Sequence, residues 1–240
     1  MDCNYEACII KHTLEMSKDR LEKAVNGDYA RLLNAAIIKL SQNLDALVVR
    51  CTKCKNTKKI IDILDIDNTP GRHSMFFYYG KEHLLVCLAK YLKDGIEKNE
   101  FCPVFLQPDW YQSLCQYLEQ NNFPLQNVQY YPVNEMLTSF LRGGSQGFKQ
   151  QVLELSQWTK DAGYSGIRMI GQCSYAIRLS SKSDFLKFEK AINDAFSGIA
   201  IAGLCVYDFY DFINTSTYIE DEIFNDSYAT HTNMLAYKKA

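Results

Sequence analysis

Two hydrophobic rhythms run along this chain. Up to about residue 54, apolar residues recur at helical spacing. From residue 73 onward, short apolar runs alternate with helical stretches. In 5–25, Ile10, Leu14, Leu21 and Val25 share one side of a helix. Asn26-Gly27-Asp28 is turn chemistry, and Asp28 is a candidate N-cap for a second helix. There Leu33, Ile37, Leu40, Leu44, Leu47 and Val48 form the apolar stripe. So short a turn makes the two helices antiparallel neighbours. A lone helical pair buries little surface, so this one is expected to dimerise or to dock onto something.

The second rhythm starts with HSMFFYY, a strand, followed by EHLLVCLAKYLKDGI, a helix. FCPVFLQ, NVQYYPV, GIRMIG and GIAIAGLCVYD read as further strands. PDWYQSLCQYLEQNN, the stretch 148–162 and DFLKFEKAINDAF read as helices between them, the first with Pro where a missing N–H costs nothing. Strands alternating with helices predict βαβ units and an α/β fold, with a mostly parallel sheet and flanking helices. The segments are therefore a small helical hairpin at 1–54, a linker at 55–72 with room for one short strand or helix, and an α/β domain at 73–240.

Composition narrows the partners. A formal net charge of -2 gives no basic excess for nucleic acid or an anionic membrane. No apolar run approaches the roughly 20 residues of a membrane span, and the N-terminal MDCNYEACIIKH has no secretory pattern. The nine cysteines mostly lie in apolar runs such as LLVCLAKYL, where Cys behaves as a small buried hydrophobe. A reduced, cytoplasmic protein is expected.

On the second helix, Ser41, Gln42 and Asp45 lie beside the apolar seam at i, i+3 and i+4 spacing. From spacing alone they form a solvated polar face. The run Ser41-Gln42-Asn43-Leu44-Asp45 on the second helix of a hairpin also resembles the small aspartyl-phosphate phosphatases of sporulating bacteria, of the stage-zero E type. Their signature is Ser-Gln-Glu-Leu-Asp, and Asn43 replaces the Glu here. The resemblance implies hydrolysis of the phospho-aspartate of a response regulator in sporulation control, with Asp45 essential, Gln42 positioning water and Ser41 supporting. No cofactor of the chain's own is implied, because the phosphorylated partner carries Mg2+ and the acyl phosphate is already reactive. An exposed carboxylate titrates near ~4, so Asp45 is expected to orient water rather than act as a strong base. Arg50, Lys53, Lys55, Lys58 and Lys59 follow as either a solvated linker or a patch that steers an acidic partner.

Cys51 and Cys54 have metal-ligand spacing, and an antiparallel hairpin brings Cys3, with Cys8 or His12, towards them. One CxxC without a second is a weak signal, so no metal is assigned. With four histidines in the chain, a dense metal cluster is not expected elsewhere.

The larger domain has no GxxxxGK[ST], and no GxGxxG follows a strand. Gly143-Gly144-Ser145-Gln146-Gly147 enters a helix from a polar stretch and reads as a flexible loop or lid. From about residue 72 to the end, the chain resembles the DcmR-type sensory domain of methanogens and methylotrophs. The residues that carry this are His73, DGIEKNEF with Gly95 and Glu100, AGYSGIR leading to Gly171, Phe188-Glu189 and Cys205-Val206-Tyr207-Asp208. Gln172 and Tyr175 depart from the Glu and Trp expected there. The resemblance implies a RecA/KaiC-like fold without a working phosphate loop, and a small hydrocarbon-type ligand.

His73, Glu100, Arg168 and Asp208 are the ligand-sensing candidates. From the residues alone, His73 reads as a hydrogen-bonded strand-start residue and Phe76 to Tyr79 as core. Arg168, in an apolar strand, needs a partner, for which Glu100 and Asp208 are candidates. The expected whole is a signalling regulator: a response-regulator phosphatase controlled by a small-molecule sensor. The alternative is a non-enzymatic protein whose hairpin docks, sequesters a partner or dimerises. An ATP switch is disfavoured by the missing phosphate loop.

Overall fold

A computed structural model describes residues 9–52, 60–62, 72–213 and 221–236. The hairpin is present as α1 (Ile9–Val25) and α2 (Ala35–Thr52), packed together. Its buried stripe includes Leu14, Leu21, Val25, Ile37, Leu44 and Val48. The start of α2 differs from expectation. Asp28 leads into a short 3-10 turn, Tyr29–Arg31, and makes no side-chain cap. Asn34 takes that role, its Oδ1 accepting the Ala36 N–H at 3.0 Å.

The α/β part follows: β1 (Ile60–Asp62), β2 (Arg72–Tyr78), α3 (Lys81–Glu97), β3 (Cys102–Phe105), α4 (Pro108–Gln120), β4 (Val128–Tyr130), α5 (Val133–Asp161), β5 (Ile167–Gln172), α6 (Cys173–Leu179), α7 (Lys182–Phe196), β6 (Ile201–Asp208), α8 (Phe209–Ile213), α9 (Asp221–Thr230) and β7 (Asn233–Ala236). The seven strands lie in the order β1-β7-β2-β6-β5-β3-β4, and every pairing is parallel. β2, β3 and β6 are almost continuously buried because helices cover both faces. Side chains alternate across β2. Phe76 meets His83 of α3 on one face, while His73 meets Phe196 of α7 on the other. β7 and β6 flank β2, with β5 and β3 beyond β6, which is a RecA-like arrangement. β1 lies in the stretch read as linker and adds an edge strand.

A second expectation is corrected. The stretch Gly143 to Gly147 is not a loop but part of the long helix α5, which kinks at Gly144 (φ 60°, ψ -168°). The positive φ suits glycine, and two helical segments meet there.

Candidate functional site

The hairpin docks on the α/β part through α1 and α2 against α3, with α2 also touching β2 and β7. This places Ser41 and Asp45 differently from the solvated face that spacing suggests. Asp45 is 2% exposed and Ser41 is fully buried, while Gln42 is half-buried. α2 is enclosed by α1 on one side and α3 on the other, so its buried arc is wider than its apolar stripe. The polar residues in that arc meet polar residues at the same spacing. Asp45 Oδ1 lies 3.2 Å from His83 Nε2, and Ser41 Oγ lies 3.6 Å from Cys87 Sγ. Both pairs are i, i+4, so the two helices match residue for residue as they cross.

His83 is held from its other side. Its Nδ1 accepts the Tyr79 N–H at 3.0 Å, satisfying a donor at the start of α3. A nitrogen that accepts carries no proton, which leaves the ring proton on Nε2, towards Asp45. The Asp45 contact is close but not aligned as a hydrogen bond. Nearby, the Tyr79 hydroxyl donates to Glu15 Oε1 of α1 at 2.6 Å. Tyr79 and Gly80 alone form the β2–α3 turn, where an ATPase of this fold carries its phosphate loop. A Cβ on Gly80 would stand 3.1 Å from the Lys18 methylenes, so the Lys18 side chain of α1 packs closely over this turn.

Arg168 is fully buried, and it is tied down inside the chain. Its Nε donates to Glu100 Oε2, and its Nη2 is 2.8 Å from Asp94 Oδ2. The guanidinium also lies 4.7 Å from the centre of the Tyr91 ring. A Cβ on Gly95 would come within 2.6 Å of Arg168 Cδ, which accounts for glycine in DGIEKNEF. Of the two proposed partners Glu100 is the one found. Asp208 is instead at the far end of β6, where its N–H donates to Ser174 Oγ and its Oδ1 accepts the Tyr210 N–H at 3.0 Å. Burial pushes the Asp208 carboxyl up to about 7, the Asp211 charge adds to this, and Arg178 and Lys18 oppose it. Gln172, the departure noted above, accepts the Gln107 N–H at 2.8 Å and donates to Tyr78 Oη and Gln107 Oε1. A carboxylate could accept from the Tyr78 hydroxyl but could not donate to Gln107 Oε1.

His73 belongs to a third cluster, which sequence reasoning did not find. Its Nε2 is 3.1 Å from Cys205 Sγ and 3.9 Å from Glu189 Oε2. His231, between α9 and β7, brings Nε2 to 3.6 Å from the same oxygen. The Cys173 thiol donates to Glu189 Oε1 at 3.2 Å. Burial pushes the Glu189 carboxyl up to about 7, against the pull of that hydrogen bond. Three of the four histidines thus sit in two dense polar clusters, His83 in one and His73 with His231 in the other. A faint signal existed in i, i+4 polar pairs inside apolar helices. Nothing local linked His73 to His231. Cys3, Cys8 and Cys54 lie outside the described residues, as do the side chains of Cys51 and His12.

A pocket suited to a small ligand lies elsewhere among the described residues. It measures about 290 Å³ and is lined mainly by Phe105, Tyr131, Met136, Phe148, Leu155 and Met169, with Glu135, Ser139 and Gln151 also in its wall. Ser139 and Gln151 stand on either side of the Gly144 kink and hydrogen bond to each other, so the bend in α5 shapes this cavity. None of His73, Glu100, Arg168 and Asp208 lines it.

The chain is thus built on a RecA-like parallel sheet that carries an apolar pocket and buried polar clusters. The family described as MEDS, the methanogen/methylotroph, DcmR sensory domain, matches residues 72–232, and the chain belongs to it. No curated protein matches the chain. A sensory, signalling role follows from the family. No helix among the described residues is long and apolar enough to cross a membrane.

Proposed function

We propose that this sensory protein uses its hairpin to dephosphorylate the phospho-aspartate of a response regulator in sporulation control, and that the MEDS domain governs access to Asp45. The observation that supports the reading is the burial of Asp45 against His83. A catalytic carboxylate in that seam is withheld while the hairpin is docked and presented when it lifts. A ligand does this only if it binds one of the two states more tightly. The lining of the α5 pocket suits a small, largely apolar molecule. In this reading Asp45 orients water towards an acyl phosphate whose Mg2+ the partner supplies, with Gln42 and Ser41 assisting.

The same burial favours a second reading, in which Asp45 is only a docking residue and the hairpin performs no chemistry. The decay of a phosphorylated sporulation-type response regulator separates the two. Under the first, substoichiometric protein accelerates decay, His83→Ala raises that rate several-fold by loosening the seam, and Asp45→Ala abolishes it. Full activity in Asp45→Ala would sink the catalytic assignment. No acceleration by either the native protein or His83→Ala would leave the docking role.

A further inference from the structure

The cluster on the α7 and α9 side of the sheet has no part in the hairpin reading. It brings four side chains from separate places in the chain to one point: His73 of β2, Glu189 of α7, Cys205 of β6 and His231 after α9. All four are buried, and one donor atom from each lies within 4.8 Å of every other. We propose that these four residues form a binding site for a divalent transition-metal cation of the Zn2+ class, with His73 Nε2, Glu189 Oε2, Cys205 Sγ and His231 Nε2 as ligands.

The spacing points to a cation. Around a tetrahedral ion with bonds of roughly 2.0–2.3 Å, neighbouring donors stand about 3.3–3.8 Å apart. Here the separations bracket that range: 3.6 Å from His231 to Glu189 lies inside it, 3.9 Å from His73 to Glu189 just above it, and 3.1 Å from His73 to Cys205, a hydrogen-bond distance, just below it. The two Glu189 contacts are long for hydrogen bonds, and Glu189 Oε2 accepts none among the described residues.

The surroundings already orient the ligands. His231 Nδ1 contacts the Ser227 carbonyl, which can only accept, so the ring proton sits there and Nε2 turns a lone pair to the cluster. A ring N–H held by a backbone carbonyl is the usual support of a metal-bound imidazole. Cys173 fixes the second carboxylate oxygen. The Thr232 N–H donates to the His73 carbonyl at 2.7 Å, which holds His231 beside His73. The donor set of two imidazoles, a thiolate and a carboxylate suits Zn2+ and excludes Ca2+ or Mg2+, which take oxygen. Four protein ligands leave no position for substrate, so the site is structural or metal-sensing. It would pin the segment 221–236 to β2 and β6.

The test is Co2+ titration of the full-length, metal-stripped, reduced protein, followed by near-ultraviolet thiolate-to-cobalt absorption and by metal content. One equivalent of Co2+ should produce the band, and Zn2+ should displace it. Cys205→Ser should lose the band, and His231→Gln should bind at least tenfold more weakly. Cys51→Ser with Cys54→Ser should keep both band and stoichiometry. Far-ultraviolet circular dichroism of each stripped variant checks its fold. If Cys205→Ser does not fold, Glu189→Gln serves, with an altered visible spectrum or lost stoichiometry as its readout. The proposal is overturned if the native protein shows no band, if a folded Cys205→Ser keeps it, or if the Cys51 and Cys54 double variant removes it.

Discussion

Two buried charged regions of this protein answer the same physical problem in opposite ways. Around Arg168 every element contributes compensation: the Glu100 carboxylate, the Asp94 carboxylate and the Tyr91 ring, with Gly95 clearing space. Around Glu189 no buried cation is present among the described residues: the Cys173 thiol holds one oxygen, two imidazoles stand 3.9 and 3.6 Å from the other, and the Cys205 thiol joins the same cluster. A buried charge that the chain itself neutralises is part of the framework. A buried set of donors converging on one point asks for a cation from outside. Burial alone therefore does not separate structure from function, and the sign of what faces the charge does.

The largest effect should come from breaking the neutralised region. Arg168→Met leaves Glu100 buried without its cation, and urea unfolding should show a loss of about 3–5 kcal/mol. The comparison sharpens with Glu100→Gln and Glu189→Gln in metal-stripped protein. The first should cost on the order of 3 kcal/mol and the second less than about 1 kcal/mol, because only the first removes a charge that a buried cation needs. Equal losses would erase the distinction. Gly95→Ala places a Cβ 2.6 Å from Arg168 Cδ, and Gly203→Ala places one 2.3 Å from the Phe196 ring. Each should lower stability by about 1–3 kcal/mol in thermal or urea unfolding.

A smaller effect concerns pH. The Asp208 carboxyl rises from 3.8 unfolded to about 7 folded. A raised carboxyl favours folding while it is protonated, so its contribution is full below about 4 and is lost as pH climbs to about 7. Asp208→Asn should flatten that slope and raise stability above about pH 7, by on the order of 2 kcal/mol. Burial first, then the Asp211 charge, the Tyr210 N–H hydrogen bond and the charges on Arg178 and Lys18, set the midpoint. A slope unchanged by Asp208→Asn would assign it elsewhere. The smallest change is Asn34→Ala, which removes the cap of α2 and should cost about 1 kcal/mol in thermal unfolding, without altering metal or ligand binding.

Much of the fold was legible in the order of residues. HSMFFYY and GIAIAGLCVYD are continuous apolar runs, which a strand buried on both faces requires, and they became β2 and β6. The two N-terminal helices were legible from their spacing. The helix was legible only from Phe148 onward, because the three glycines of Gly143 to Gly147 suggest a loop, whereas in the structure α5 begins at Val133 and Phe140 packs against Phe148 across the bend. The Arg168 partner was half legible: a charge in an apolar strand demands one, but sequence offered Glu100 and Asp208 equally.

By itself, the sequence determined the local rhythm: an antiparallel helical pair, a parallel α/β sheet, no phosphate loop, and the need for polar residues in apolar elements to find partners. Those follow from periodicity and from the cost of burying charge, both of which act within an element. Only the tertiary structure decided what faced what. It turned Ser41 and Asp45 inward onto Cys87 and His83, and it gathered His73, Glu189, Cys205 and His231 from distant segments. Side-chain convergence depends on how elements stack, and a repeat of two or of 3.6 residues carries no information about which helix lies across the seam.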